Sequence, residues 1–236
     1  MPDREAFWLH GETEWHFFRA REDHRTIDFR SSDFLIGVSL KNPRFSNAWL
    51  TEALSGAEEL GKRTVVTLVD SPYFETLGPR DFGLSERRER LLRLGRQRDE
   101  QLARIQKLIA DFRATCLFKP WSEFQAATPL QLKEELNAAY GSGGRVTELI
   151  SAQVRSVMDM FLDDDEVRHF ARFLLEEIPV LVTIYYELMD RCVDVYPGEQ
   201  APFFWALDKG ELESELPEMT KMALKGPPHT YAVFYL

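Results

Sequence analysis

Ser39 is the residue whose setting most suggests chemistry. Phe34-Leu35-Ile36-Gly37-Val38 is a short apolar run rich in β-formers, and Leu40, Lys41, Asn42 and Pro43 follow the serine. That order predicts a buried parallel strand feeding a βα loop, with Ser39 at the strand's carboxyl end. Ligands of open α/β sheets bind at that edge, so the hydroxyl is a candidate nucleophile; the alternative is a serine that only caps the next helix. A hydrolytic serine needs a histidine base. The five histidines, His10, His16, His24, His169 and His229, lie in no setting that suggests a triad, and the G-x-S-x-G elbow is missing because Leu40-Lys41 follow Ser39. Neither G-x-x-x-x-G-K-[ST] nor G-x-G-x-x-G follows the first strand, so no phosphate cradle is encoded. Cys116 and Cys192 are too few and too far apart for a disulfide framework or a zinc site. Asp163-Asp164-Asp165 match no metal-ligand spacing and read as the acidic start of a helix. The expectation is therefore no metal and no cofactor.

The elements that must position Ser39 follow in order. From Ser46, an N-cap, to Gly61, a stop, Trp49, Ala53, Leu54, Ala57 and Leu60 recur at helical spacing. Thr64 to Val69 is a second apolar run, ending at Asp70, so strand, helix and strand make a βαβ unit. Ser71, Pro72, Gly78, Pro79 and Gly83 mark a loop. A long helix is expected from Ser85 to about Arg113, with Leu91, Leu94, Leu102, Ile105, Ile109 and Phe112 on one side and Arg90, Arg93, Arg96, Arg104 and Lys107 largely on the other. Ala114 to Phe118 reads as a third buried strand, and Thr128-Pro129-Leu130-Gln131 as the capped start of a helix ending near Gly141. Helices are expected over Val146 to Phe161 and from Asp163 onward, the latter ended or kinked by Pro179. Arg191 to Tyr196 and Tyr231 to Leu236 read as strands, and Asp208 to Glu218 as a solvated acidic stretch. The first thirty residues, with Phe7, Trp8, Trp15, Phe17 and Phe18 among charges, suggest only a segment packed on the surface. The pattern is α/β: a Rossmann-like, mostly parallel sheet flanked by helices.

Size and charge bound the partners. A chain of 236 residues with 44% hydrophobic content can form a core, and we expect one domain over residues 1–236. No apolar stretch is long enough to span a bilayer and the start is no signal peptide, so a reducing cytoplasm and no membrane partner are expected. The net charge is −10, yet residues 80–113 hold 10 basic and 6 acidic side chains. An acidic protein with one basic element suits polyanion binding at that element alone.

The two strands and their spacing, with Gly37, Ser39, Asn42 and Asp70 in order, resemble the start of the cyclodipeptide synthases. The resemblance continues through the basic helix, Glu177 and Tyr196, and so covers most of the chain. It implies a domain similar to the catalytic domain of class I aminoacyl-tRNA synthetases, and aminoacyl-tRNAs as substrates with no need for ATP or DNA. In that family the serine takes an aminoacyl group from a first aminoacyl-tRNA. This ester exchange is close to isoenergetic and needs positioning more than a strong base. A second aminoacyl-tRNA supplies the other residue, and the dipeptidyl-enzyme cyclises to a 2,5-diketopiperazine. A Tyr and a Glu four residues apart on one helix face manage the amino group. Glu177 matches the Glu, whereas Phe173 stands at the Tyr position, leaving Tyr185 or Tyr186 to compensate. Tyr196-Pro197 matches the Tyr-Pro subgroup, although that subgroup often lacks the Asn present here as Asn42. The acyl pocket would be lined by Leu35, Gly37, Leu40, Thr67, Val69 and Val180, mostly apolar with one hydroxyl, and the tRNA would follow Arg87, Arg90, Arg93, Arg96, Arg98, Arg104 and Lys107. Two other classes stay open: a serine esterase or acyltransferase on small activated esters, and a non-enzymatic tRNA- or protein-binding module.

Overall fold

The computed structural model describes residues 4–19, 33–40, 42–75, 84–158, 162–189, 192–197, 202–225 and 229–234. The first strand, β1 (Arg4–His10), turns at Gly11 into β2 (Thr13–Arg19), and the βαβ unit follows as β3 (Phe34–Ser39), α1 (Asn47–Glu59) and β4 (Thr64–Val69). Next come α2 (Ser71–Glu75), α3 (Leu84–Ile109), β5 (Cys116–Phe118), α4 (Trp121–Ala127), α5 (Leu130–Ser142) and α6 (Arg145–Met158). The chain closes with α7 (Asp164–Thr183), β6 (Val193–Val195), α8 (Pro202–Asp208), α9 (Pro217–Lys225) and β7 (Thr230–Val233). Among the described residues, seven strands form one sheet in the order β1-β2-β7-β6-β3-β4-β5. Pairing from β7 through β6, β3 and β4 to β5 is parallel, while the β1-β2 hairpin and its contact with β7 are antiparallel. This is the mostly parallel, helix-flanked sheet expected.

Strand alternation divides the core in two. Phe34, Ile36, Val38, Val66 and Leu68 face one side with Trp49 and Leu50 of α1 and Leu94, Ile105 and Ile109 of α3. Leu35, Val65 and Val69 face the other, against α4 to α9. The N-terminal residues do more than lie on a surface: the hairpin extends the sheet and drives Trp15 and Phe17 into the first core, where Trp15 stacks on Phe234 at 4.2 Å between ring centroids. Each such aromatic pair adds about 0.5–1.5 kcal/mol beyond area burial. Gly56 explains the approach of the hairpin, since a Cβ there would sit 2.8 Å from Trp15.

Several local expectations change. α1 begins as read, with Ser46 Oγ accepting from Trp49 N–H at 3.1 Å, and Gly61 past its end has φ 65°. Asp163 caps α7 and, with Glu166, completes a capping box. Thr128 is no cap: its hydroxyl donates to Phe124 O at 2.8 Å, and α5 starts after Pro129. Pro179 does not end α7, which runs on to Thr183 and then into a π-helical turn, Ile184–Leu188; burial of Val180, Val182 and Ile184 in the second core holds the backbone together past the missing N–H. β5 is an edge strand whose Leu117 is exposed, not a buried one. The acidic stretch after α8 is only partly solvated. Asp208, Leu212 and Leu216 are buried, and Glu215 accepts the backbone N–H groups of Arg145 and Val146 at the start of α6. Part of the loop after Asp70 is helical, as α2. Phe161, Arg191, Gly198 and His24 lie outside the described residues.

Candidate active site

The site gathers at the carboxyl end of the parallel strands. Ser39, last residue of β3, is half-buried with its Oγ 2.5 Å from the hydroxyl of Tyr73. Tyr73 arrives there because Asp70 ends β4 and the chain turns at once into α2, with Tyr73 N–H donating to Asp70 O at 3.1 Å. Burial raises the Asp70 carboxyl above its ordinary value, with backbone N–H groups at Asp70 and Ser71 and the Arg98 charge opposing. The Tyr73 ring packs edge-on to Phe173 of α7, centroids 4.6 Å apart. One helical turn further, Glu177 lies on the same face.

On the other flank, Asn42 Nδ2 donates to the Tyr196 hydroxyl at 3.2 Å, while its Oδ1 accepts Arg44 N–H at 3.0 Å and so fixes the amide. Tyr196 follows β6, and its ring rests edge-on to Phe45, 5.4 Å between centroids. Burial first, then the neighbouring Glu177, pushes the phenol up to about 12, with Asp194 and Tyr73 adding to the effect and Asn42 opposing it. Burial and then Asp194 push Glu177 up to about 8. A carboxyl poised there can give and take a proton near neutrality. Ser39, Tyr73, Phe173, Glu177, Tyr196 and Asn42 therefore form one constellation spanning β3, α2, α7 and β6.

The tyrosines after Glu177 do not replace the missing hydroxyl at Phe173. Tyr185 donates to Asp194 Oδ2 at 2.7 Å and Tyr186 to Asp208 Oδ1 at 3.0 Å. Tyr73, from a different element, brings a phenol against the Phe173 ring and onto Ser39 itself. No histidine hydrogen-bonds Ser39 among the described residues; His229 is buried, stacked on Tyr185 at 4.0 Å, and burial drives its pKa down to about 3.

Of the expected pocket residues, Leu35, Gly37, Thr67 and Val69 share the face that carries Ser39, and Val180 packs into the same core. Leu40 does not join them. One residue past Ser39, it points to the opposite core and lines a cavity of about 480 Å³ with Gln97, Glu100, Gln101 and Arg104 of α3. On α3, Arg93, Arg96 and Lys107 are exposed and carry no ion pair among the described residues, Arg87 is half-buried, Arg90 pairs with Glu86 and Arg98 with Asp99. Arg104 turns inward, donating to Phe45 O at 2.9 Å, and burial lowers its pKa. Among the described residues no group of three His, Cys, Asp or Glu could hold a metal ion, and no helix is long and apolar enough to cross a membrane.

No protein-family model matches the sequence, and no curated protein sequence matches it. Solved structures do. A cyclodipeptide synthase from Staphylococcus haemolyticus superposes with a TM-score of 0.69 at 8% identity, over 94% of this chain and 99% of that one. The chain has the cyclodipeptide synthase fold. A synthase of that fold from Bacillus thermoamylovorans gives 0.66 at 11% identity, covering 94% and 96%. The Mycobacterium tuberculosis protein whose structure relates cyclodipeptide synthetases to type I tRNA synthetases gives 0.62 at 15%, covering 82% and 84%. Ser39, Asn42, Phe173, Glu177 and Tyr196, which the sequence singles out, lie together at this edge of the sheet. Tyr73 and Asp194 beside them are not singled out by the sequence. Asp194 had a visible signal, a lone carboxylate inside an apolar strand, while Tyr73 had none beyond its nearness to Asp70.

Proposed function

We propose that this protein is a tRNA-dependent cyclodipeptide synthase acting without ATP, metal or cofactor, in the cytoplasm. The observation that carries the reading is the Ser39 hydroxyl held by Tyr73 at the carboxyl end of the sheet, beside the Glu177 carboxyl, which burial pushes up to about 8, and the Asn42-Tyr196 pair, in a chain with the synthase fold. Ser39 Oγ attacks the ester carbon of an aminoacyl-tRNA, the tRNA oxygen leaves, and the serine proton passes to it through Tyr73 or Glu177. The bound aminoacyl amine then attacks the ester of a second aminoacyl-tRNA, losing its proton to the site and releasing that tRNA. The new terminal amine attacks the seryl ester, which closes the six-membered ring and restores the Ser39 hydroxyl. Ester to amide is downhill, so no further energy source enters.

Arg93, Arg96 and Lys107 are free to meet tRNA phosphates, with Arg90 and Arg98 beside them. An esterase reading is weaker because the partner of Ser39 Oγ is a phenol rather than an imidazole. Extraction of a culture expressing the chain and mass spectrometry for a diketopiperazine, absent when Ser39→Ala is expressed, tests the proposal. Equal product from both cultures would overturn it.

A further inference from the structure

The cavity beside Leu40 holds none of the groups assigned to the reaction, yet it opens next to them. Leu40 directly follows Ser39, and the other walls, Gln97, Glu100, Gln101 and Arg104, come from two turns of α3. That stretch of α3 crosses the carboxyl edge of the sheet: the Arg98 charge acts on Asp70 at the end of β4, and Arg104 donates to Phe45 O at 2.9 Å in the loop after β3. The same loop meets the catalytic groups, where Asn42 donates to the Tyr196 hydroxyl at 3.2 Å and the Phe45 ring rests on the Tyr196 ring. Cavity and active site therefore share one wall.

The lining says what can fill it. At about 480 Å³ the cavity lies within the roughly 300–1,000 Å³ of small-ligand pockets. Glu100 and Arg104 offset each other, so it is neutral on a helix otherwise rich in arginine, and a phosphate there would meet a carboxylate. Gln97 and Gln101, four residues apart, share a helix face. Gln101 Oε1 and Arg104 Nε are buried with no hydrogen-bond partner among the described residues. A carboxamide offers a donor and an acceptor side by side, the pair that matches the edge of adenine. Leu40 supplies an apolar contact, and the guanidinium of Arg104, anchored on Phe45 O, a plane for stacking.

We propose that this cavity holds the terminal adenosine of the tRNA, the nucleoside whose ribose carries the aminoacyl ester, with Gln97 and Gln101 on the base. The proposal rests on the tRNA-dependent reading and adds the part of the carrier that is recognised. A free 3′ end has no phosphate beyond its last ribose, which suits a neutral cavity. Reach agrees: the Cα atoms of Ser39 and Leu40 are about 3.8 Å apart and a nucleoside spans roughly 8 Å, so the ester can lie at Ser39 while the base lies past Leu40. The exposed Arg93 and Arg96, within a turn of Gln97, then meet the phosphates that precede the adenosine. Because every tRNA ends in the same nucleoside, the cavity positions any charged tRNA and leaves the choice of amino acid to the acyl pocket.

The test is filter binding of uncharged tRNA transcripts that differ only in the last base, A, C or G, across salt concentrations. Wild type should prefer the transcript ending in A by roughly 5- to 100-fold. Gln97→Leu and Gln101→Leu, made singly, should each lower that ratio while keeping the wild-type salt slope, because phosphate contacts are untouched. Arg93→Ala with Arg96→Ala should do the reverse, flattening the slope and keeping the preference. A wild type indifferent to the last base, or a ratio unchanged in both folded glutamine variants, overturns the proposal and leaves the synthase reading standing. So does AMP that binds tightly without displacing the tRNA, which would give the cavity to a free nucleotide. No binding of any transcript overturns the synthase reading and this proposal with it. Should one glutamine variant fail to fold, the other decides.

Discussion

Glu177→Gln should stabilise the protein while disabling it. In the folded chain Glu177 is raised from an ordinary 4.5 to about 8 by burial and by Asp194. Between those values the folded state holds a proton that the unfolded state has released. The stability this group contributes is therefore fully present below about pH 4.5 and is lost as pH rises toward 8. At about 1.4 kcal/mol per unit, the loss at pH 7 reaches about 3 kcal/mol; the partial exposure of Glu177 admits screening water and reduces this to about 2 kcal/mol. Gln resembles the protonated acid and does not titrate. The variant should match wild type near pH 4 and exceed it by about 2 kcal/mol at pH 7, or about 6 °C in Tm for a chain of this size. Thermal unfolding at pH 4, 5, 6, 7 and 8, followed by circular dichroism, reads both curves. Parallel curves, or a variant less stable than wild type at pH 8, would refute the placement of Glu177 as a desolvated carboxyl.

Other consequences follow from the same geometry. Tyr73→Phe removes the partner of Ser39 Oγ while keeping the ring on Phe173; single-turnover formation of the seryl adduct should slow by roughly 10- to 100-fold, with stability changed by only about 1 kcal/mol. A rate within twofold of wild type would leave Tyr73 a packing residue. Replacing Arg90, Arg93 and Arg96 together by Ala should weaken tRNA binding and flatten the slope of log K against log salt by about 2 to 3, measured by filter binding across salt concentrations. An unchanged slope would move the tRNA off α3.

Much of this architecture could be read before the fold because burial on both faces writes itself into the sequence. β3 and β4 are continuous apolar runs, and α1 carries its own cap at Ser46 and stop at Gly61. The N-terminal hairpin was opaque for the opposite reason: Phe7 and Leu9 are exposed while Trp15 and Phe17 are buried, so apolar residues on both faces erase the alternation of a half-buried strand. Leu40 was misplaced because one residue past Ser39 reverses the face. Tyr73 reaches the site through a five-residue helix with no periodicity of its own, and Phe173 acquires meaning only once α2 lies against α7. Local pattern fixes elements; convergence of side chains from different elements needs the tertiary arrangement.

The most direct measurement is to locate the acyl group. Wild-type protein quenched in acid during turnover with aminoacyl-tRNAs, then digested and sequenced by tandem mass spectrometry, should carry one aminoacyl mass on the peptide containing Ser39, at its hydroxyl. An adduct on Cys192 or Ser71 instead, or product formed while Ser39 stays unmodified at every time point, would contradict the account.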